Sequence, residues 1–270
     1  MTYISNKEIS NIVSREKTFY ESFYKGAYRS HEKFNFQVPA VWIEKARKPD
    51  SRPLDYWEYS FYLLGDLRGK KVAEIGCGDG WITTCLAKAG AVVYAVDVSF
   101  SGCRLTKEKL KAHGVSPGLV AVMDAHTLAF QSSSFDAVFI AGVLHHLDLE
   151  QVSIELHRIL KKKGIVVSYE PLQYGPVMLA VRKIWLKING LKEYVSTEDE
   201  EPLRENDLAP FNNIFQNAEI RKFNFIAKTN RLRKRFGTIA NVLRWTDYII
   251  LTVFPVLNKY CTCIVCRFEK

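Results

Sequence analysis

One stretch, residues 70–97, limits the fold more than any other part of the chain, because it reads as a β-α-β unit. Residues 72–75 and 92–96 are short apolar runs of the kind that form buried parallel strands. The first run leads into glycines at alternate positions, Gly76, Gly78 and Gly80. A helical pattern then continues to Gly90. Since glycine lets the backbone turn tightly and lets a ligand approach it, the stretch predicts a nucleotide-binding α/β sheet.

Two acidic residues near this turn indicate what kind of nucleotide it would bind. Asp97 ends the second strand, where a carboxylate can accept hydrogen bonds from a ribose diol. Glu74 lies inside the first strand, where a carboxylate is costly unless it is paired. A cationic ligand, such as a sulfonium with an amino-acid tail, would supply that partner. Trp81 stands where the dinucleotide fingerprint has its third glycine, which argues against a nicotinamide dehydrogenase.

The segment from Glu74 to Gly80 resembles the first motif of the class I S-adenosylmethionine-dependent methyltransferases. Further matches follow in the family's order over about residues 65–171. The pair Asp124-Ala125, after an apolar run at 119–123, is similar to the pair that contacts adenine in this family. Residues 134–141 and 160–171 look like its fourth and fifth strands. The loop at 142–147, with its two histidines, resembles one common in the small-molecule branch.

This resemblance implies a fold, a cofactor and a cofactor site. The fold is a Rossmann-like α/β sheet of seven strands, mostly parallel, with an antiparallel last strand between the fifth and sixth. The cofactor is S-adenosyl-L-methionine, and the product is S-adenosyl-L-homocysteine. The implied cofactor-binding residues are Glu74, Gly76, Cys77, Gly78, Asp79, Gly80, Asp97, Val98, Asp124, Ala125 and Ala141. The alternative is an α/β domain whose glycines serve only packing.

The domain organisation is predicted from patterns on either side of this core. Residues 1–60 are expected to form an N-terminal helical lid, and 61–270 the methyltransferase domain with an insertion at about 172–215. Residues 14–24 carry aromatic side chains at helical spacing, which favours a lid helix against the sheet: Phe19, Tyr20, Phe23 and Tyr24. The alternative for these aromatic residues is ordinary core packing.

Catalysis is expected to depend on the loop after the fourth strand. Methyl transfer from a sulfonium is an in-line displacement that needs no metal in principle, and the protein supplies position and desolvation. An oxygen acceptor must lose its proton, so a nearby base helps. His146 is the candidate base or acceptor-orienting residue, and Glu170 at the tip of the fifth strand is a second candidate. The alternatives are that both histidines of the loop pack it against the lid, and that Glu170 makes a loop hydrogen bond.

Charge is concentrated at the end of the chain. Residues 221–270 hold 11 Lys and Arg against 2 Asp and Glu, which equals the whole formal excess of +9. An anionic partner would fit this region: a membrane surface, a phosphorylated substrate or RNA. Basic residues at 231–235 precede an apolar segment at 236–257, a pattern typical of an interfacial helix. The alternatives are a solvated basic face and an ordinary packed helix.

Three further features concern the location of the protein and metals. Residues 1–10 lack the apolar region of a signal peptide, and the longest mostly apolar run, 248–257, is too short to span a bilayer. The six cysteines are interpreted as free thiols in a reducing cytoplasm. The sequence C-x-C-x-x-C at 261–266 supplies three thiols, short of a closed zinc site, and is interpreted as a core strand.

The sequence therefore favours a cytoplasmic methyltransferase that modifies a small or lipid-linked acceptor at oxygen, with peripheral membrane contact through residues 221–257. One alternative is an RNA (tRNA) nucleoside methyltransferase, which only the basic C-terminal region supports. Another is a non-catalytic methyltransferase-like binding protein, against which the intact glycine turn and acids argue.

Overall fold

A computed structural model describes residues 6–28, 53–173, 202–225 and 237–270. Much of the insertion predicted at about 172–215 and the whole basic cluster of 231–235 lie outside these described residues. The strands are β1 (Lys71–Ile75), β2 (Val92–Asp97), β3 (Leu119–Val122), β4 (Phe135–Ala141), β5 (Leu160–Pro171), β6 (Asn217–Phe223) and β7 (Cys263–Glu269). The helices are α1 (Asn6–Tyr28), α2 (Tyr56–Leu64), α3 (Trp81–Lys88), α4 (Phe100–Ala112), α5 (Leu149–Ile159), α6 (Ala209–Ile214) and α7 (Gly237–Val253).

The seven strands form one sheet in the order β3-β2-β1-β4-β5-β7-β6. Neighbouring strands from β3 to β5 pair in parallel, whereas β7 lies antiparallel between β5 and β6. This topology confirms the predicted Rossmann-like sheet and the antiparallel insertion of its last strand. Parallel strands must be covered on both faces, so the sheet needs a layer of helices on each side.

Two apolar clusters occupy these two sides. Helices α2, α3 and α4 pack on one face, where Leu64, Leu86 and Leu110 are buried against strand residues such as Phe139. Helices α5 and α6 pack on the other face, where Leu156 and Phe211 meet Ile140 and Phe268. Successive hydrophobic side chains along each strand therefore pack against opposite helical layers.

Several elements differ from the predictions in extent. The boundary expected at residue 60 falls inside α2, whose Tyr59 and Phe61 are buried in the core. Of the insertion expected at 172–215, the described part includes α6, which packs on the sheet through Phe211 and Phe215. Helix α7 ends at Val253, because Pro255 begins a separate 3₁₀ turn, Pro255–Tyr260. The division into lid and domain remains a prediction.

Two further observations concern the state of the cysteines and the length of the helices. All six cysteines are buried and free, and Cys263 and Cys266 lie in β7, between β5 and the edge strand β6. Cys263 and Cys266 are buried in the two core clusters, where they pack as small apolar side chains. Among the described residues, no helix is both long and apolar enough to cross a membrane.

Candidate active site

A cavity of about 240 Å³ opens at the carboxyl ends of β1, β2 and β4, beneath α1. Strand order reverses between β1 and β4, which is where open α/β sheets bind their ligands. Six of the predicted cofactor-binding residues line this cavity: Gly76, Asp97, Val98, Asp124, Ala125 and Ala141. The other five lie outside its lining: Glu74, Cys77, Gly78, Asp79 and Gly80. A second cavity, of about 350 Å³, lies at the far edge of the sheet between β6 and α7.

The glycine turn forms the floor of the site, and its backbone explains why glycine is needed. The amides of Gly76 and Cys77 both donate to the carbonyl of Val96, at 2.8 and 3.0 Å, which fixes the turn against β2. Gly76 has a φ of +76°, and a Cβ there would overlap the side chain of Val143. Gly80 has a φ of +78°, and a Cβ there would lie 2.6 Å from the Cα of Thr106. Both positions combine a left-handed backbone with close packing, which only glycine accommodates.

Asp97 is held in one orientation at the tip of β2. Its two carboxylate oxygens accept hydrogen bonds from the amides of Gly78 and Ser99, each at 2.8 Å. Burial raises the pKa of Asp97, and the bonds from Ser99 and Gly78 partly oppose that effect. Each oxygen can accept a further hydrogen bond, so the carboxylate can still bind a diol on its cavity side.

Asp124 is oriented by His126, two residues further along the chain. The amide of Asp148 donates to Nε2 of His126 at 3.0 Å, so the ring proton is on Nδ1 and is donated to Asp124 at 2.6 Å. Burial raises the pKa of Asp124, but the hydrogen bonds from His126 outweigh it and leave the pKa below its ordinary value. Asp124 is therefore an anionic acceptor that faces the cavity.

Glu74 lies in β1, two residues before Gly76, and it is not among the residues that line the cavity. Its side chain is buried, and its carboxylate oxygen Oε2 has no hydrogen-bond partner among the described residues. Burial raises the pKa of Glu74 to about 8, so the carboxyl is mostly protonated at neutral pH. The cofactor-binding role of Glu74 remains a prediction.

Glu170 lies behind the loop that follows β4, rather than in the cavity. One of its oxygens accepts from the amides of Val143 and Leu144, at 3.1 and 3.0 Å. The other oxygen lies 2.7 Å from Nδ1 of His145. These contacts correspond to the loop hydrogen bond that the sequence left open as the alternative. Fully buried, Glu170 fixes the turn Leu144–His146 and thereby the direction of His146.

His146 faces the cavity and meets two side chains of α1. Its Nδ1 lies 3.4 Å from a carboxylate oxygen of Glu16, and its Nε2 lies 3.2 Å from the hydroxyl of Tyr20. The rings of His145 and His146 are 4.0 Å apart between centroids. An acid, an imidazole and a phenol thus converge at the cavity wall opposite the glycine turn. Such a group can hold a hydroxyl substrate and take up its proton.

Helix α1 is fastened over the cavity by a second acidic residue, Glu21. Its carboxylate accepts from the hydroxyl of Ser99 at 2.8 Å, and from the amide and hydroxyl of Ser101 at 2.9 and 2.6 Å. The hydrogen bonds from Ser101 lower the pKa of Glu21 to about 2. Tyr24, one turn further on, places its ring against Gly78 and Gly102.

Sequence reasoning missed the roles of Glu16 and Glu21 on α1. The aromatic pattern was recognised, and the rings of Tyr20 and Tyr24 do stack along one side of the helix. The signal that could have found Glu16 is its position in the same i, i+4 series as Tyr20 and Tyr24. Among the described residues, no cluster of three or more histidine, cysteine and acidic side chains is arranged to hold a metal ion.

Part of the chain is similar in sequence to known methyltransferases. Residues 73–168 match a family model described as a methyltransferase domain. The chain is 32% identical over 122 residues to a demethylmenaquinone methyltransferase of Geobacillus stearothermophilus, covering 44% of this chain and 51% of that protein. It is 30% identical over 132 residues to a magnesium-protoporphyrin O-methyltransferase of Synechocystis, covering 47% and 53%. A ubiquinone biosynthesis O-methyltransferase of Bordetella avium is 26% identical over 114 residues, covering 42% and 47%.

The chain therefore spans about half the length of these curated relatives. Solved structures of the same fold include the PH0226 protein of Pyrococcus horikoshii, with a TM-score of 0.53 and 16% identity over 92% of this chain and 98% of that one. A putative sarcosine dimethylglycine methyltransferase of Galdieria sulphuraria has a TM-score of 0.52 and 13% identity over 78% of this chain and 83% of that one. At these identities the likeness is one of fold.

Proposed function

We propose that this chain, whose residues 73–168 match a methyltransferase domain, is a class I S-adenosylmethionine-dependent methyltransferase that methylates an oxygen of a small or lipid-linked acceptor bound beneath α1. The observation that carries this proposal is the position of His146, which faces the cavity between Glu16 and Tyr20. The bound cofactor would supply a methyl group activated by a sulfonium. The residues of this chain would supply position, a dry pocket and a base.

The described residues fit the nucleoside part of such a cofactor. Asp97 would accept hydrogen bonds from the ribose diol, because its oxygens are already oriented by two backbone amides. Asp124 would accept from a polar edge of the base, and its neighbours Val98, Met123 and Ala125 give that part of the cavity an apolar wall. We propose that the glycine turn and these two acids hold the cofactor. Glu74 would support the turn from behind.

On the acceptor side, three groups of this chain would act on a hydroxyl. Nε2 of His146, now 3.2 Å from the Tyr20 hydroxyl, would accept the proton that the acceptor oxygen loses. Glu16, at 3.4 Å from Nδ1, would stabilise the imidazolium that forms. Helix α1 carries both partners, so the base is complete only while α1 covers the cavity and excludes water.

The names of the relatives support an oxygen acceptor of low molecular weight. Two of the three are called O-methyltransferases, and one of these is named for magnesium-protoporphyrin. The third is named for demethylmenaquinone. We propose that the protein acts in the cytoplasm on an acceptor of this kind. The RNA alternative draws on charge alone, and the acid–imidazole–phenol group next to the cavity favours a small acceptor over it.

The test is to incubate the protein with methyl-labelled cofactor and fractionated lysate, and to identify the labelled product. His146→Ala should lower turnover by about 10²–10⁴-fold, while the cofactor Kd from calorimetry stays unchanged. His113→Ala is the matched control, because His113 ends α4 away from the cavity. Unchanged turnover in His146→Ala would contradict the role of the base. Label found on nitrogen, on carbon or in RNA would overturn the oxygen acceptor.

A further inference from the structure

Helix α7 presents a stripe of apolar side chains to the solvent. Val242, Trp245, Ile249 and Val253 follow one another at intervals of three and four residues, and their exposed fractions are 58%, 40%, 53% and 59%. Phe254 and Val256 extend this stripe beyond the end of the helix. Half of the exposed large hydrophobic residues in the described part of the chain lie within residues 242–256. A contiguous apolar patch of this kind marks an interaction surface.

The other side of α7 shows that this stripe is not the helix's contact with the sheet. Of residues 241–253, only Asp247 is buried, and it accepts a hydrogen bond from the amide of Phe225 at 3.2 Å. Arg244 lies 3.5 Å from Asp55 and 3.3 Å from Glu58, which form the N-terminal cap of α2. An ordinary surface helix turns its apolar side inward and its polar side outward. Within residues 241–253, the charged contacts of Arg244 and Asp247 face inward, Leu243, Ile250 and Leu251 are half-buried, and the apolar stripe is exposed.

The charge around α7 indicates which partner would cover the stripe. Five basic residues precede the helix in the sequence: Lys228, Arg231, Arg233, Lys234 and Arg235. Residues 221–270 as a whole hold 11 basic and 2 acidic residues. A second copy of the chain would bring the same positive charge to the contact. RNA would complement the charge but would leave the apolar stripe uncovered.

We propose that α7 docks the protein on an anionic lipid bilayer, with the stripe of Val242, Trp245, Ile249 and Val253 among the headgroups. An apolar face with adjacent tryptophan and tyrosine, flanked by basic residues, is what an interfacial helix requires. The basic residues would be attracted by anionic lipids, and the apolar side chains would be removed from water. This docking is separate from methyl transfer, so its test measures binding alone.

The test is co-sedimentation of the full chain with vesicles of phosphatidylglycerol and phosphatidylcholine in equal amounts, and with vesicles of phosphatidylcholine alone. The wild type should bind the anionic vesicles, and binding should weaken with salt. Ile249→Asp should lower the partition coefficient about tenfold or more, since burying an isoleucine side chain is worth at least that factor. Ile154→Asp is the matched control, because Ile154 is 61% exposed on α5, outside the stripe.

Three outcomes would overturn the proposal. The first is a failure of the vesicle test itself: the wild type does not bind anionic vesicles at low salt, or Ile249→Asp and Ile154→Asp bind them equally well. The second is a dimer in sedimentation velocity that Ile249→Asp dissociates, which would make a second copy the occupant. The third is binding to bulk tRNA without binding to vesicles. Thermal unfolding of both variants shows that each remains folded.

Discussion

Replacing Glu21 by glutamine should loosen α1 from the cavity. Glu21 is the acceptor for three hydrogen bonds from Ser99 and Ser101 at the start of α4. A glutamine can keep part of this geometry, but it has one acceptor oxygen in place of two and no charge. The same helix carries Glu16, Tyr20 and Tyr24 to the cavity, so its position affects the whole site.

The size of the effect follows from the pKa of Glu21. Hydrogen bonds from Ser101 lower the pKa from 4.5 to about 2, which corresponds to at most about 3 kcal/mol of docking free energy. The side chain is 23% exposed, and solvent screening reduces that figure. We therefore expect Glu21→Gln to cost about 1–2 kcal/mol, or roughly a 5- to 30-fold change in the docking equilibrium.

The sign of the pH dependence is fixed by the direction of the shift. A carboxyl whose pKa is lowered on docking contributes fully above its ordinary pKa of 4.5, and this contribution disappears as the pH falls through about 2. The difference between the wild type and Glu21→Gln in the docking free energy of α1 should therefore be constant above about pH 5 and vanish in acid.

Hydrogen exchange followed by mass spectrometry measures the effect directly. Amides of α1 should exchange roughly 5- to 30-fold faster in Glu21→Gln at neutral pH, because the helix leaves its site more often. Glu108→Gln is the control, since the Glu108 side chain is 40% exposed on α4, where it lies 3.8 Å from Arg104. Equal protection of α1 in both variants, or a stability difference that does not depend on pH, would refute this account.

Two further predictions concern other parts of the molecule. Asp97→Asn should raise the cofactor Kd by about 10- to 150-fold in calorimetry, as expected for lost hydrogen bonds to a charged group, and an unchanged Kd would exclude the ribose contact. Arg244→Met should lower the free energy of unfolding in urea by about 3–5 kcal/mol, because it removes the guanidinium that lies 3.5 Å from the buried Asp55 and 3.3 Å from the buried Glu58. The exposed Arg104→Met should change the free energy of unfolding by less than about 0.5 kcal/mol, and an equal loss in both variants would contradict the buried pair.

The sequence predicted the sheet because its signals are local. The strand runs, the turn at Gly76 and the acids at two strand tips can each be recognised within a few residues, and the sheet then brings them together. The same reasoning predicted that His146 would follow β4, whereas the antiparallel insertion of the last strand was implied by the resemblance to the methyltransferase family. The assignment of the cofactor roles themselves remains a prediction.

The remaining features depend on contacts between distant residues, which no local pattern records. His146 meets Tyr20 across 126 positions of the chain, and Ser101 meets Glu21 across 80. Glu74 was expected to face the ligand because a buried carboxylate needs a partner. Glu74 lies outside the lining of the cavity, and burial raises its pKa, which favours the uncharged carboxyl. The burial of a side chain depends on how the whole core packs, and the spacing of residues in the sequence does not reveal it.

The position of β7 bears on how the chain folds while it is being synthesised. β7 separates β5 from β6 in the sheet, yet it follows both of them in the chain, and roughly ninety residues are added after β5 before it appears. Throughout that interval the backbone of β5 is an open edge, and β6 lacks the strand that joins it to the sheet. Open edges recruit other chains. A nascent chain of this protein therefore passes through a long aggregation-sensitive stage, which ends when its last strand closes the gap.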